Sequence, residues 1–235
     1  KEKGAKVEYI PLDEKGRITP ENLKKVMNDA VKIVAFTAVS NVLGYITPVK
    51  ELSKIGHEYG AVVSVDGAQA VPHLKIDVKD WDCDFLSFSG HKMCGPSGIG
   101  VLYGKSELLN KMDPYLLGGG SNARFDAQGD LILREVPFKF EAGTPPIEQV
   151  LGLGAAAEYL MNIGMENIQE YEFTLRNNLV AKLQQLDNVI LYNSAAETGI
   201  VTFNVKDVFP QDVASYLSHQ GIAVRSGLHC AKILP

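Results

Sequence analysis

The 235-residue chain is 46% hydrophobic and 22% charged, a composition that supports a buried core and excludes disordered, collagen-like and disulfide-dense classes. Lys+Arg 23 against Asp+Glu 28 gives a net charge of −5, which removes any global electrostatic case for a nucleic-acid or anionic-membrane partner. At roughly 100–200 residues per domain, the length fits one large domain or two modest ones. Three cysteines, Cys83, Cys94 and Cys230, form no C-x-x-C pair and leave an odd count. They argue against a disulfide framework and for a reducing, cytoplasmic setting. Lys1-Glu2-Lys3-Gly4 leads into no apolar signal-peptide core. The uncharged stretch Ile33 to Val49 is interrupted by Ser40, Asn41, Gly44 and Pro48, so no membrane span is expected.

In chain order, Lys6 to Pro11 reads as a short strand followed by a turn at Asp13 to Arg17. Thr19-Pro20-Glu21 then supplies an N-cap, a proline at the first helical position and an early acid, opening a helix through about Ala30. Val31 to Val39 is an apolar strand. Pro48 to Tyr59 is a helix with Leu52, Ile55 and Tyr59 on one face and Gly60 as its stop. Ala61 to Val65, Phe85 to Ser89 and Ile99 to Tyr103 are three further strands, and short apolar strands alternating with helices favour an α/β domain buried on both sheet faces. Pro114 to Gly143, with Gly118-Gly119-Gly120, reads as a long surface excursion of the kind that often carries function. Helices over Ile147 to Leu160 and Met165 to Leu186, strands near Val189 to Tyr192 and Gly199 to Val205, a helix over Gln211 to His219 and a short strand Ile222 to Val224 form a smaller α/β unit.

The chemistry concentrates at two strand ends, Asp66-Gly67-Ala68-Gln69 and Ser89-Gly90-His91-Lys92. In open α/β sheets ligands sit at the carboxyl ends of strands. A lysine and a carboxylate there can hold pyridoxal phosphate, the amine on its aldehyde and the carboxylate on its ring nitrogen. Taken alone, a strand-end Asp is commonly a cap and a lone lysine a solvated charge; the joint pattern is what points to chemistry. Cys83 reads as a core residue, His57 and His219 as solvated or interfacial, and Cys94 carries no role. His229-Cys230 lacks further ligands at a recognisable spacing, so no metal site is expected. Gly118-Gly119-Gly120 with Arg124 is either an anion-binding nest or a flexible surface turn.

Val65-Asp66-Gly67-Ala68-Gln69-Ala70, Phe88-Ser89-Gly90-His91-Lys92 and Gly95-Pro96-Ser97-Gly98-Ile99-Gly100 resemble the class V aminotransferase family of fold-type I pyridoxal-phosphate enzymes. Arg225-Ser226-Gly227-Leu228-His229-Cys230-Ala231 is similar to the SufS-type cysteine desulfurases, a group that also includes selenocysteine-lyase activity. The resemblance implies a three-layer large domain over residues 1–158 and a smaller C-terminal α/β domain over 159–235, both partial. The family's chain extends before and beyond this one, so an internal fragment is expected. Leu228 stands where these enzymes often have histidine.

Position by position, the resemblance makes Lys92 the Schiff-base lysine and the base at the substrate Cα. It places Asp66 on the pyridine nitrogen, Gln69 on the phenolic oxygen, and Ser89 and His91 on the phosphate. Asn41 and Arg225 fall on the substrate side, where a guanidinium grips a carboxylate bidentately. Thr144 is similar to a threonine that reaches the phosphate across a dimer interface, which implies a homodimer. Cys230 is the nucleophile that takes sulfur as a persulfide. The implied activity converts L-cysteine to L-alanine and passes sulfur to an acceptor or scaffold protein of iron–sulfur cluster assembly. Selenocysteine lyase, another class V enzyme that does not use Cys230, and an inactive fragment are the competing readings.

Overall fold

The computed structural model describes residues 4–231. The first lobe is built on a four-stranded sheet in which β1 (Ile33–Thr37), β2 (Val62–Asp66) and β3 (Phe85–Ser89) run parallel and β4 (Gly100–Gly104) closes the edge antiparallel to β3. The register places Val34 opposite Val63 and Phe36 opposite Val65, with Val65 opposite Leu86. Because side chains alternate along a strand, these residues share one face. They pack in a single cluster with Leu23, Val49, Leu52 and Ile55. The opposite face carries Ile33 at 67% and Leu102 at 56% exposure, so the helices of the described residues cover one face of this sheet.

Those helices follow local rules. In α1 (Pro20–Val26) the Thr19 side chain accepts the Asn22 N–H at 3.2 Å, with Pro20 at the first helical position. The helix stops short of Ala30 because Met27 turns extended and Asn28 Oδ1 takes the Ala30 N–H at 3.0 Å, a local bond that competes with helix continuation. In α2 (Val49–Glu58), Val49, Leu52, Ile55 and Gly56 form the buried stripe. Gly60, at φ +70°, ends the helix, and Ala61 N–H returns to the Gly56 carbonyl at 3.0 Å. Short helices α3 (Val78–Trp81) and α4 (Ser106–Lys111) were not expected from periodicity; Asp77 caps the first through the Lys79 and Asp80 N–H groups.

Three expectations are corrected. Lys6 to Pro11 forms no strand: Val7 and Tyr9 are exposed, and among the described residues the segment has no ladder partner. Among the described residues Ile222 to Val224 likewise stays outside any ladder. Pro114 to Gly143 is more than an excursion, because β5 (Asn122–Phe125) and β6 (Leu131–Leu133) pair antiparallel inside it.

The second lobe comprises α5 (Ile147–Ile163), α6 (Met165–Leu183), the antiparallel pair β7 (Val189–Leu191) and β8 (Phe203–Val205), and α7 (Pro210–His219). Gly164, at φ +91°, makes the sharp turn between α5 and α6. Residues 158 and 159 lie inside α5, so the helix runs unbroken across the point where the sequence divides the lobes. Among the described residues, no helix is long and apolar enough to cross a membrane.

Candidate active site

Three parallel strands end side by side. Thr37 is opposite Asp66, and Asp66 opposite Ser87. Past the ladder, Ala38 N–H donates to the Asp66 carbonyl and Gly67 N–H to the Ser87 carbonyl, both at 2.8 Å. The loops after these ends carry Asn41, Asp66 to Gln69, and Ser89 to Lys92, which is the crevice where an open α/β sheet binds ligands.

Asp66 lies on the less covered sheet face, opposite in direction to Val63 and Val65. Its Oδ1 accepts the Ala68 N–H at 2.8 Å, which orients the carboxylate while leaving it exposed. Ser89 ends β3 and the chain enters a 3₁₀ turn, Gly90–Lys92. Gly90 N–H donates to the Ile99 carbonyl at 2.9 Å, and Met93 and Gly95 N–H groups both return to the Gly90 carbonyl at 3.0 Å. An added Cβ at Gly90 stands 2.8 Å from Ile99 Cγ2, so only glycine fits this turn. His91 and Lys92 project from it, both exposed. Lys92 and Asp66 make no ion pair among the described residues. Gln69, half-buried, lines a cleft of about 310 Å³ between the lobes together with His73, Glu172 and Arg176.

The second lobe brings the cysteine. His229 and Cys230 sit at φ +48° and +65°, consecutive left-handed residues that a non-glycine backbone rarely adopts. The turn closes with Ala231 N–H on the Leu228 carbonyl at 2.8 Å. Asn41 Nδ2 donates to the His229 carbonyl, so the loop after β1 touches the residue before Cys230. Cys230 and Arg225 are exposed, and Ser226 Oγ lies 3.2 Å from Gln211 Oε1 at the start of α7. Thr144 stands apart: it is exposed just before α5, and no hydrogen bond among the described residues ties it to the strand ends. The Gly118 to Gly120 turn belongs to its surroundings, since the Gly119 carbonyl accepts the Gly143 N–H.

Sequence reading missed the seam that joins the lobes. Asn193, fully buried, donates to the Leu43 carbonyl at 2.9 Å; Thr198 Oγ1 donates to the Gly44 carbonyl at 2.8 Å; Thr202 Oγ1 donates to the Val42 carbonyl. His73 Nδ1 meets Glu172 Oε1 at 2.9 Å and Arg17 meets Glu197 at 2.7 Å. Arg176, 3% exposed, leaves its Nε unpartnered, and burial pulls its guanidinium below the usual arginine value. Partners separated by 150 or more residues carry no local signal.

Residues 1–235, the whole chain, match the family model for aminotransferase class V. The chain belongs to that family. Membership implies pyridoxal phosphate as the cofactor. The chain is 48% identical over 231 residues to a probable cysteine desulfurase of Halalkalibacterium halodurans, covering 98% of this chain and 57% of that protein. It is 45% identical over 236 residues to a cysteine desulfurase of Haloferax volcanii, covering 100% of this chain and 55% of that protein. The crystal structure of the cysteine desulfurase CsdA from Escherichia coli superposes with a TM-score of 0.92 at 35% identity, over 97% of this chain and 57% of that one. The apo cysteine desulfurase from Thermococcus onnurineus gives 0.86 at 39%, over 97% and 57%. This class V chain therefore has the α/β architecture of those enzymes, as expected for fold-type I, and spans little more than half the length of the relatives it matches.

Proposed function

We propose that the protein is a pyridoxal-phosphate-dependent cysteine desulfurase. The observation that carries this reading is the bond from Asn41 to the carbonyl of His229, the residue before Cys230, which supports placing the Cys230 turn at the loop after β1, on the same sheet end as Asp66 and Lys92.

The donor set fits the cofactor. Lys92 offers an exposed amine for an aldehyde, Asp66 an oriented carboxylate for a protonated ring nitrogen, and Ser89 and His91 a hydroxyl and an imidazole for phosphate. Gln69 serves the phenolic oxygen, and Thr144 the phosphate of a second subunit. When bound, pyridoxal phosphate supplies an electron sink for the pair released at the substrate Cα. Arg225 grips the carboxylate of L-cysteine bidentately and Asn41 holds its other side. Lys92 Nζ moves the proton at Cα. The Cys230 thiolate then attacks the substrate sulfur; the new S–S bond forms as the C–S bond breaks, and that bond's electron pair stays with the carbon skeleton, which leaves as alanine after protonation.

A homodimer is the assembly this reading expects. It is supported by α5, whose Leu151, Tyr159 and Met161 are exposed on a helix apolar on most sides. The sulfur passes from Cys230 to an acceptor protein of iron–sulfur assembly, in the cytoplasm.

The test uses the full protein with L-cysteine and pyridoxal phosphate. Cys230→Ala is expected to keep the cofactor's absorbance band and lose persulfide and sulfide release, whereas Lys92→Ala loses the native band itself. Undiminished sulfide release by Cys230→Ala overturns the assignment.

A further inference from the structure

Val42, Leu43 and Gly44 present three consecutive carbonyls to the second lobe, and each is taken by a different side chain of one short segment: Thr202, Asn193 and Thr198. Carbonyls withdrawn from water need partners, and here, with the Gly44 bond buried and the other two part-buried, all three partners come from the other lobe. Asn193 is itself held rigidly. Its Nδ2 also donates to the Ile200 carbonyl at 2.9 Å, and its Oδ1 accepts the Thr202 N–H at 2.9 Å. The approach is close enough that a Cβ at Gly44, φ +65°, would stand 2.7 Å from Thr198 Oγ1. The segment therefore acts as a template on the backbone that immediately follows Asn41, and Asn41 in turn bonds the turn carrying Cys230.

We propose that Asn193, Thr198 and Thr202 are positioning residues that set Asn41 and, through it, the conformation of the Cys230 turn. This rests on the reading of Cys230 as the sulfur acceptor. The left-handed pair His229 and Cys230 is an uncommon conformation for non-glycine residues; besides the turn's own bond from the Ala231 N–H to the Leu228 carbonyl, the Asn41 amide supplies a tether from the other lobe.

The rate of iodoacetamide labelling tests this, read on the Cys230 peptide by mass spectrometry and divided by that of Cys94, a second exposed thiol. Loss of the tether lets the turn open and raises the ratio by about threefold or more. Asn193→Ala and Thr202→Val are expected to do so, while Thr202→Ser, which keeps the hydroxyl, stays at the wild-type ratio. In an Asn41→Ala background, where the ratio is already raised, Asn193→Ala adds nothing further. If Asn193→Ala does not fold, the Thr202→Val and Thr202→Ser pair decides. An unchanged ratio in the folded variants overturns the proposal, as do effects that multiply in the Asn41→Ala background. Labelling reports the freedom of the turn whether or not Cys230 accepts sulfur, so its failure is distinct from failure of the desulfurase reading, which sulfide release decides.

Discussion

His57 Nε2 lies 2.9 Å from Asp84 Oδ2, and the same oxygen accepts the Val63 N–H at 2.7 Å. The other oxygen takes Lys105 Nζ at 2.9 Å, and Lys105 also reaches Asp82 at 2.7 Å. One carboxylate thus ties the last turn of α2, the start of β2, the entry to β3 and the exit from β4. Of the two sequence readings for His57, solvated or interfacial, this network matches the interfacial one: His57 is half-buried against the buried Asp84.

Burial alone would raise the Asp84 carboxyl, but the hydrogen bonds from Lys105, the Val63 N–H and His57 outweigh it and hold the group below its ordinary value. The native state therefore binds this proton more weakly than the unfolded chain. The stability it contributes is present above the ordinary Asp value of about 3.9 and is lost as pH falls through the lower folded value. Asp84→Asn is expected to cost on the order of 3 kcal/mol at pH 7. Urea unfolding of both proteins should show the gap narrowing in acid, and a gap that stays constant down to about pH 3 would count against the network.

Gly56 brings α2 close to the sheet, since an added Cβ stands 2.6 Å from Val63 Cγ2. Val63 is fully buried and β-branched, so it cannot swing aside. Gly56→Ala gains about 1 kcal/mol of helix propensity against overpacking of about 1–3 kcal/mol. Net destabilisation is expected in a thermal melt, and a raised Tm would show that the helix can move away.

The three thiols should separate by reactivity. Cys83 is fully buried, and burial pushes its thiol up, whereas Cys94 and Cys230 are exposed. Alkylation of native protein is expected to modify the two exposed cysteines and spare Cys83 until denaturant is added. Equal labelling of all three without denaturant would contradict the buried position.

Thr19 is the single side-chain cap on α1. Thr19→Ala is expected to cost about 1 kcal/mol and Thr19→Ser much less. Chemical denaturation of the two variants side by side checks it, with equal losses pointing to packing rather than the hydroxyl.

Much of the first lobe was legible locally. The apolar runs at 33–37, 62–66 and 85–89 are strands because β-branched and aromatic residues fit a pleated, buried surface. Gly60 and Thr19 mark their helices for stereochemical reasons that need no tertiary context. Lys6 to Pro11 and Ile222 to Val224 show the limit of that logic: extended character makes a strand only when a neighbour completes the ladder.

The sequence by itself determined the strand-end motifs and the class V family, since each is written in contiguous residues. Tertiary structure alone decided that Asn41 meets the Cys230 turn, that Asn193 shapes the Asn41 loop, and that Asp84 gathers His57 and Lys105. Those contacts join residues 21 to 188 positions apart. In the first two the partner is a backbone carbonyl, a group every residue carries, and around Asp84 the partners are the side chains of His57 and Lys105, from separate parts of the chain, so nothing in the local order of residues announces which groups will meet.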